Sequence, residues 1–121
     1  MILALSEQAS NTILNAVAAM LDGGRIELLT GDDRVLAVLR LSDPAAMPAN
    51  GGELEFQPIA DENAARARGT VINARIIGTD GSEVFSCDVG GRESDAVIKL
   101  TSTQFDQGVP VRLSSFRLRM P

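Results

Sequence analysis

From residue 25 onward the chain alternates apolar and polar residues with period two, in short runs broken by glycine, aspartate or proline. Period two is the spacing at which side chains on a strand return to one face, so this pattern restricts the fold to short, sheet-forming segments. "RIELLT" (25–30) and "RVLAVLRL" (34–41) flank the turn Gly31-Asp32-Asp33 and predict a hairpin. In the second run Val35, Ala37, Leu39 and Leu41 point one way and Leu36 and Val38 the other, which predicts a central strand covered on both sides. "ELEFQPI" (53–59) places Leu54 and Phe56 inward and ends at Pro58. The clearest stretch is "GTVINARIIGTDGSEVFSCDVG" (69–90). Ile72, Ala74 and Ile76 share a face opposite Asn73 and Arg75, Phe85, Cys87 and Val89 alternate with Ser86 and Asp88, and Thr79-Asp80-Gly81 supplies turn residues that tolerate positive φ. After the polar turn "VGGRESD" (89–95), "AVIKLT" (96–101) reads as a strand. In "VPVRLSSFRLRM" (109–120) the apolar residues change parity, from Val109, Val111 and Leu113 to Phe116, Leu118 and Met120. A parity change inside one strand predicts a β-bulge or a bend at Ser114-Ser115.

One segment has a different period. "SEQASNTILNAVAAML" (6–21) sets Ala9, Ile13, Ala16, Val17 and Met20 on one side at helical spacing, with Ser6 as N-cap, Glu7 in the first turn and Asp22-Gly23-Gly24 as the stop. This predicts a helix over 6–22 whose apolar side packs on its own sheet or on a neighbouring subunit. "SDPAAMPANGG" (42–52) is a loop, the longest irregular stretch, and loops of that length are where partners are often contacted. "DENAARAR" (61–68) suits a helical turn and equally the start of a strand. The expected fold is one mainly β domain over 1–121, with strands within 25–120. They would form an antiparallel β-sandwich or barrel-like sheet of about seven strands, with one N-terminal α-helix.

With 121 residues, 45% hydrophobic and 22% charged, the chain has the size and composition of one globular domain. Only four Phe, with no Trp or Tyr, leave few stacking platforms for bases or sugars. Eleven Lys and Arg against sixteen Asp and Glu give a net charge of -5, which repels nucleic acid and anionic membranes. "MILALSEQ" lacks the basic and long apolar regions of a secretory leader, and no stretch has the roughly 20 apolar residues of a membrane span. The expectation is a soluble protein made in the cytoplasm, with no nucleic-acid, membrane or small-molecule partner.

No histidine is present, and the lone Cys87 lies on an inward strand position, so acid-base and nucleophilic constellations lack their usual centre. Lys99 is the only lysine and has no motif around it. The neighbouring acids Asp32-Asp33 and Asp61-Glu62 read as solvated turn charges. "DGSE" (80–83) offers a calcium ion too few ligands, and the Gly-Gly pairs fit no phosphate loop. The expectation is therefore no catalytic residue, cofactor or metal. One asymmetry remains: residues 111–121 hold Arg112, Arg117 and Arg119 and no acid. It reads as edge protection, or as a basic strip that meets an acidic surface on another copy or another protein.

The order of "LNAVAAMLDGGRIELLTG", "VLAVLRLSDPA", "ARGTVINARIIGTDGSEVFSCDVG" and "FDQGVPVRLSSFRLRMP" resembles small β-rich structural or accessory virion proteins of tailed bacteriophages and prophages. Leu28 and Asn73 stand where that group has aromatics. The resemblance implies a non-enzymatic particle component that decorates or cements the capsid, binding the major capsid protein and other copies of itself as a homo-oligomer. A neck or tail component is the alternative, and a stand-alone β-sandwich binding module the competing class. On the particle reading the expected interface residues are Pro44, Met47 and Pro48 in the loop and Arg112, Arg117 and Arg119 in the last strand, with the apolar helix as a further contact.

Overall fold

The computed structural model describes residues 5–59 and 65–119. The Asp61-Glu62 pair, the first half of "DENAARAR" (61–64) and Met120 lie outside the described residues. The period-two runs become strands β1 (Arg25–Leu29), β2 (Val35–Arg40), β3 (Glu53–Glu55), β4 (Gly69–Thr70), β5 (Asn73–Ile77), β6 (Glu83–Gly91), β7 (Ile98–Leu100), β8 (Gln104–Phe105) and β9 (Leu113–Arg119). The period-3.6 run becomes α1 (Glu7–Leu21), capped where the Ala9 N–H donates to Ser6 Oγ (3.1 Å).

Seven strands form one curled, mixed sheet, a half-barrel, in the order β2-β1-β5-β6-β7-β9-β3, and β4 and β8 form a separate ribbon. Of the two architectures expected, the barrel-like sheet is the one observed, left incomplete. The expected antiparallel arrangement is corrected at one junction, where β6 and β7 run parallel with Val89 beside Ile98 and Gly91 beside Leu100. Parallel neighbours usually need a crossover of a dozen residues or more. Here the overlap is three residues deep, so the chain has to return only about 7 Å along the strand, which residues 92–97 span. Ser94 tightens that return: its Oγ donates to the Gly91 carbonyl (2.7 Å), and a β-carbon on Gly90 would lie 2.3 Å from it.

Three bulges explain the curl. The pairing register slips at Leu36 in β2, at Val84 in β6 and at Ser114 in β9, and each extra residue bends its strand and sharpens the twist. The last slip falls where the parity change at Ser114-Ser115 predicts a bulge or a bend, and it is a bulge. The first corrects the reading of β2 as a central strand: β2 is an edge. Its bulge turns Leu36 into the core beside Ala37, and the edge is covered where the Arg66 N–H donates to the Leu36 carbonyl (2.7 Å). Ile72, expected to share the inward face of Ala74 and Ile76, precedes β5 and is 52% exposed.

The core joins Ile26, Leu28, Ala74, Ile76, Ile98 and Phe116 from the sheet with Leu21 of the helix. Phe116 stacks on Phe56 at 4.1 Å between ring centroids. The helix is rotated from the expected setting. Ser10, Leu14 and Leu21 are buried and Val17 is half-buried, whereas Ile13 and Met20 are 40% and 56% exposed. The turn after α1 is held hard against the β5–β6 hairpin. A β-carbon at Gly24 would come within 2.2 Å of the Ile77 carbonyl oxygen, so only glycine fits.

Candidate functional site

The 42–52 segment runs between the two edge strands of the half-barrel, and its backbone has almost no ladder to join. Helix α1 supplies acceptors instead. The Gly52 N–H donates to Asn11 Oδ1 (2.9 Å), the Ala49 N–H to Asn15 Oδ1 (2.8 Å) and the Ala45 N–H to Asp22 Oδ1 (2.8 Å). Asn11, Asn15 and Asp22 lie on one flank of the helix, because spacings of four and eleven residues return to nearly the same angle. On its other side the segment meets β3, with the Met47 N–H donating to the Glu55 carbonyl (3.0 Å) and the Gln57 N–H to the Ala45 carbonyl (2.9 Å).

These bonds decide which loop residues face outward. Ala45, Ala46 and Gly52 are buried, while Pro44, Met47 and Pro48 are exposed, Met47 by 51%. The three outward residues border a shallow, mostly apolar groove of about 450 Å³ against Ala18 and Ala19 of α1. The loop part of the expected interface is thus a fixed apolar shelf.

The arginine part divides. Glu53, the first residue of β3, faces Arg119 across the ladder and takes both cations of the strand end, Arg119 Nη2 at 2.7 Å and Arg117 Nη1 at 3.6 Å. The hydrogen bond from Arg119, reinforced by the charges of both guanidiniums, holds the Glu53 carboxyl below its ordinary value. The strip is therefore zipped to an acid of its own sheet, which the sequence reading did not anticipate. Glu53 also borders a hollow shared with Met47 and Pro48, so the structure brings the shelf and the Arg117–Arg119 end of β9 to one region. Arg112 is not part of it. Its exposed side chain precedes β9, five residues from Arg117, or about 17 Å along an extended strand.

Of the remaining chemical candidates, Lys99 on β7 borders a hollow with Glu53, Arg117 and Arg119, whereas Cys87 and Asp32 line no part of it. Cys87 is half-buried on β6, and burial, helped by the neighbouring Asp88 charge, pushes its thiol up to about 12, so it stays protonated at neutral pH. Asp32 closes the β1–β2 turn by accepting a hydrogen bond from Thr30 Oγ1. That bond keeps its carboxyl below the usual range. Among the described residues, no three His, Cys, Asp or Glu side chains gather in a metal-binding group.

Sequence reasoning missed Asn11, Asn15, Asp22 and Glu53. The first three carry a readable signal, since amide and carboxylate acceptors at helical spacing mark a flank that faces backbone donors. Glu53 carries none, because its pairing with β9 joins residues 64 and 66 positions apart. Compared with known proteins, the chain matches no family model, no curated protein and no solved structure.

Proposed function

We propose that the protein is a non-enzymatic structural subunit of a tailed-phage particle that decorates or cements the capsid, repeated as a homo-oligomer. The observation that carries this reading is the shelf of Pro44, Met47 and Pro48, an irregular loop locked by three hydrogen bonds to α1 and its C-cap Asp22, with its apolar side chains turned outward. A loop fixed before binding loses little entropy when a partner covers it, which suits attachment through a small contact. The sequence resemblance supplies the particle, and the shelf supplies a place to hold it. Repetition by symmetry then lets many small contacts act together. The partner surface on this reading is the major capsid protein, and neck or tail placement is the runner-up.

Co-sedimentation with assembled phage heads tests the reading. Wild-type protein is expected to pellet with heads, and Met47→Asp to weaken binding by about tenfold or more through a buried unpaired charge, with the melting temperature unchanged. Protein that ignores heads overturns capsid decoration, and Met47→Asp binding like wild type removes the shelf as the contact. Neutralising the cations with Arg117→Gln and Arg119→Gln should have the smaller effect, since Glu53 already occupies them.

A further inference from the structure

Helix α1 has a second flank, turned away from the loop, on which Ala9, Ile13, Ala16 and Met20 follow one another at spacings of four, three and four residues. None of the described strands covers this row: Ile13, Ala16 and Met20 are exposed, and Ala9 half-exposed. Glu7 is the only charged residue in the whole of α1. Glu7 sits near Gly51, and the Asp22 carboxylate just beyond the helix is bonded to the Ala45 N–H, so the charges at both ends belong to the loop flank. A surface helix ordinarily turns charged side chains to water. An uncovered, uncharged row has the composition of an interface centre.

We infer that this row is a two-fold contact between α1 of one copy and α1 of a second copy. Spacings of four and three residues form the seam along which one helix packs on another at a shallow angle, and α1 is the one helix among the described residues. The order of residue sizes fits an antiparallel pair. A two-fold axis midway between positions 13 and 16 sets Ile13 against the second copy's Ala16 and Met20 against its Ala9. Each large side chain then meets a small one, and the axes can approach to about 8 Å. Antiparallel packing also opposes the two helix dipoles, and no charge of either acidic chain enters the seam. The inference deepens the proposed function and rests on it for the expectation of repeated copies.

Area sets the strength. A helix of 15 residues is about 22 Å long, so a contact strip about 10 Å wide covers roughly 450 Å² over both copies, well short of the ~1,200 Å² of a stable complex. The pair is therefore weak in dilute solution, with a dissociation constant on the order of 0.1–1 mM. Where a particle surface holds neighbouring copies at an effective concentration of about 1 mM, roughly half or more of them pair.

The test uses the full chain with Cys87→Ser as background. Separately tagged Ile13→Cys and Ala16→Cys proteins are mixed at about 1 mM and mildly oxidised. With the two proteins in equal amounts, the expected product is the mixed 13–16 disulfide in clear excess over the 13–13 and 16–16 products, whereas the statistical mixture of one 13–13 to two 13–16 to one 16–16 overturns the two-fold seam. Sedimentation equilibrium is the second measurement. Wild type should show a concentration-dependent dimer that Ala16→Glu weakens about tenfold, with its melting temperature unchanged because position 16 is exposed. Wild type that stays monomeric up to about 1 mM overturns the inference. Head binding is scored apart from these readings: dimerisation without head binding defeats the decoration reading alone, and head binding by a strictly monomeric protein defeats the seam alone.

Discussion

The two apolar rows of α1 have similar residues and opposite fates. Ser10, Leu14, Val17 and Leu21 face the sheet, while Ala9, Ile13, Ala16 and Met20, each one position earlier, face outward. Hydrophobicity alone does not choose between them, since Ile13 and Met20 would fill a core as well as Leu14 and Leu21. The polar flank makes the choice. Asn11, Asn15 and Asp22 must reach the N–H groups of Gly52, Ala49 and Ala45, and only one rotation of the helix allows all three. A buried backbone donor left without a partner costs about 1–3 kcal/mol. Two such bonds, to the buried Ala45 and Gly52, with a third to the more exposed Ala49, outweigh the small difference between two apolar rows.

Paired truncations should separate the rows most sharply. Leu21→Ala removes a side chain with no exposure and should cost about 2–5 kcal/mol. Met20→Ala, one position away, should stay within about 0.5 kcal/mol, and urea unfolding of the two variants reads the contrast directly. Equal costs would mean that the helix is set at a different rotation. Next in size is Asp22→Ala, which strips the acceptor from the fully buried Ala45 and should cost about 1–3 kcal/mol. Amide hydrogen exchange should then speed up at Ala45 while the β1–β5 amides keep their protection. Asn15→Ala acts on the more exposed Ala49 amide and should cost less, about 0.5–1.5 kcal/mol.

The period-two runs made the strands legible, and the parity change at Ser114-Ser115 made one bulge legible as well. The bulge at Leu36 was hidden. Leu36 is apolar among apolar neighbours, so turning it inward leaves no mark on the alternation, and β2 passed for a central strand. The parallel pairing of β7 was hidden for another reason: "AVIKLT" reads alike in either direction, and the short return is closed by contacts that alternation does not reveal, Ser94 Oγ to the Gly91 carbonyl and the Val97 N–H to Asp88 Oδ1. In the candidate site, the outward Pro44, Met47 and Pro48 followed from loop composition. The Glu53 clamp did not, because it depends on which strand becomes the neighbour of β9.

That clamp gives the smallest predicted effect and the one that distinguishes the two kinds of loop anchor. Asn11 and Asn15 are uncharged and hold the loop at any pH. Glu53, where the loop enters β3, holds Arg119 and Arg117 only while ionised. Its carboxyl lies below its ordinary value of 4.5 in the folded protein. Its contribution is therefore fully present above the unfolded-state value and is lost as pH falls through the lower folded-state value. Wild type should melt slightly above Glu53→Gln at neutral pH, and the gap should close in acid, below the ordinary glutamate range. Protection at Ala49 and Gly52 should persist through the same titration, because their acceptors do not titrate. A gap that stays constant with pH would show that Glu53 acts through packing and not charge. Loss of Ala49 protection in step with the gap would show that the clamp, and not the asparagines, holds the shelf in place.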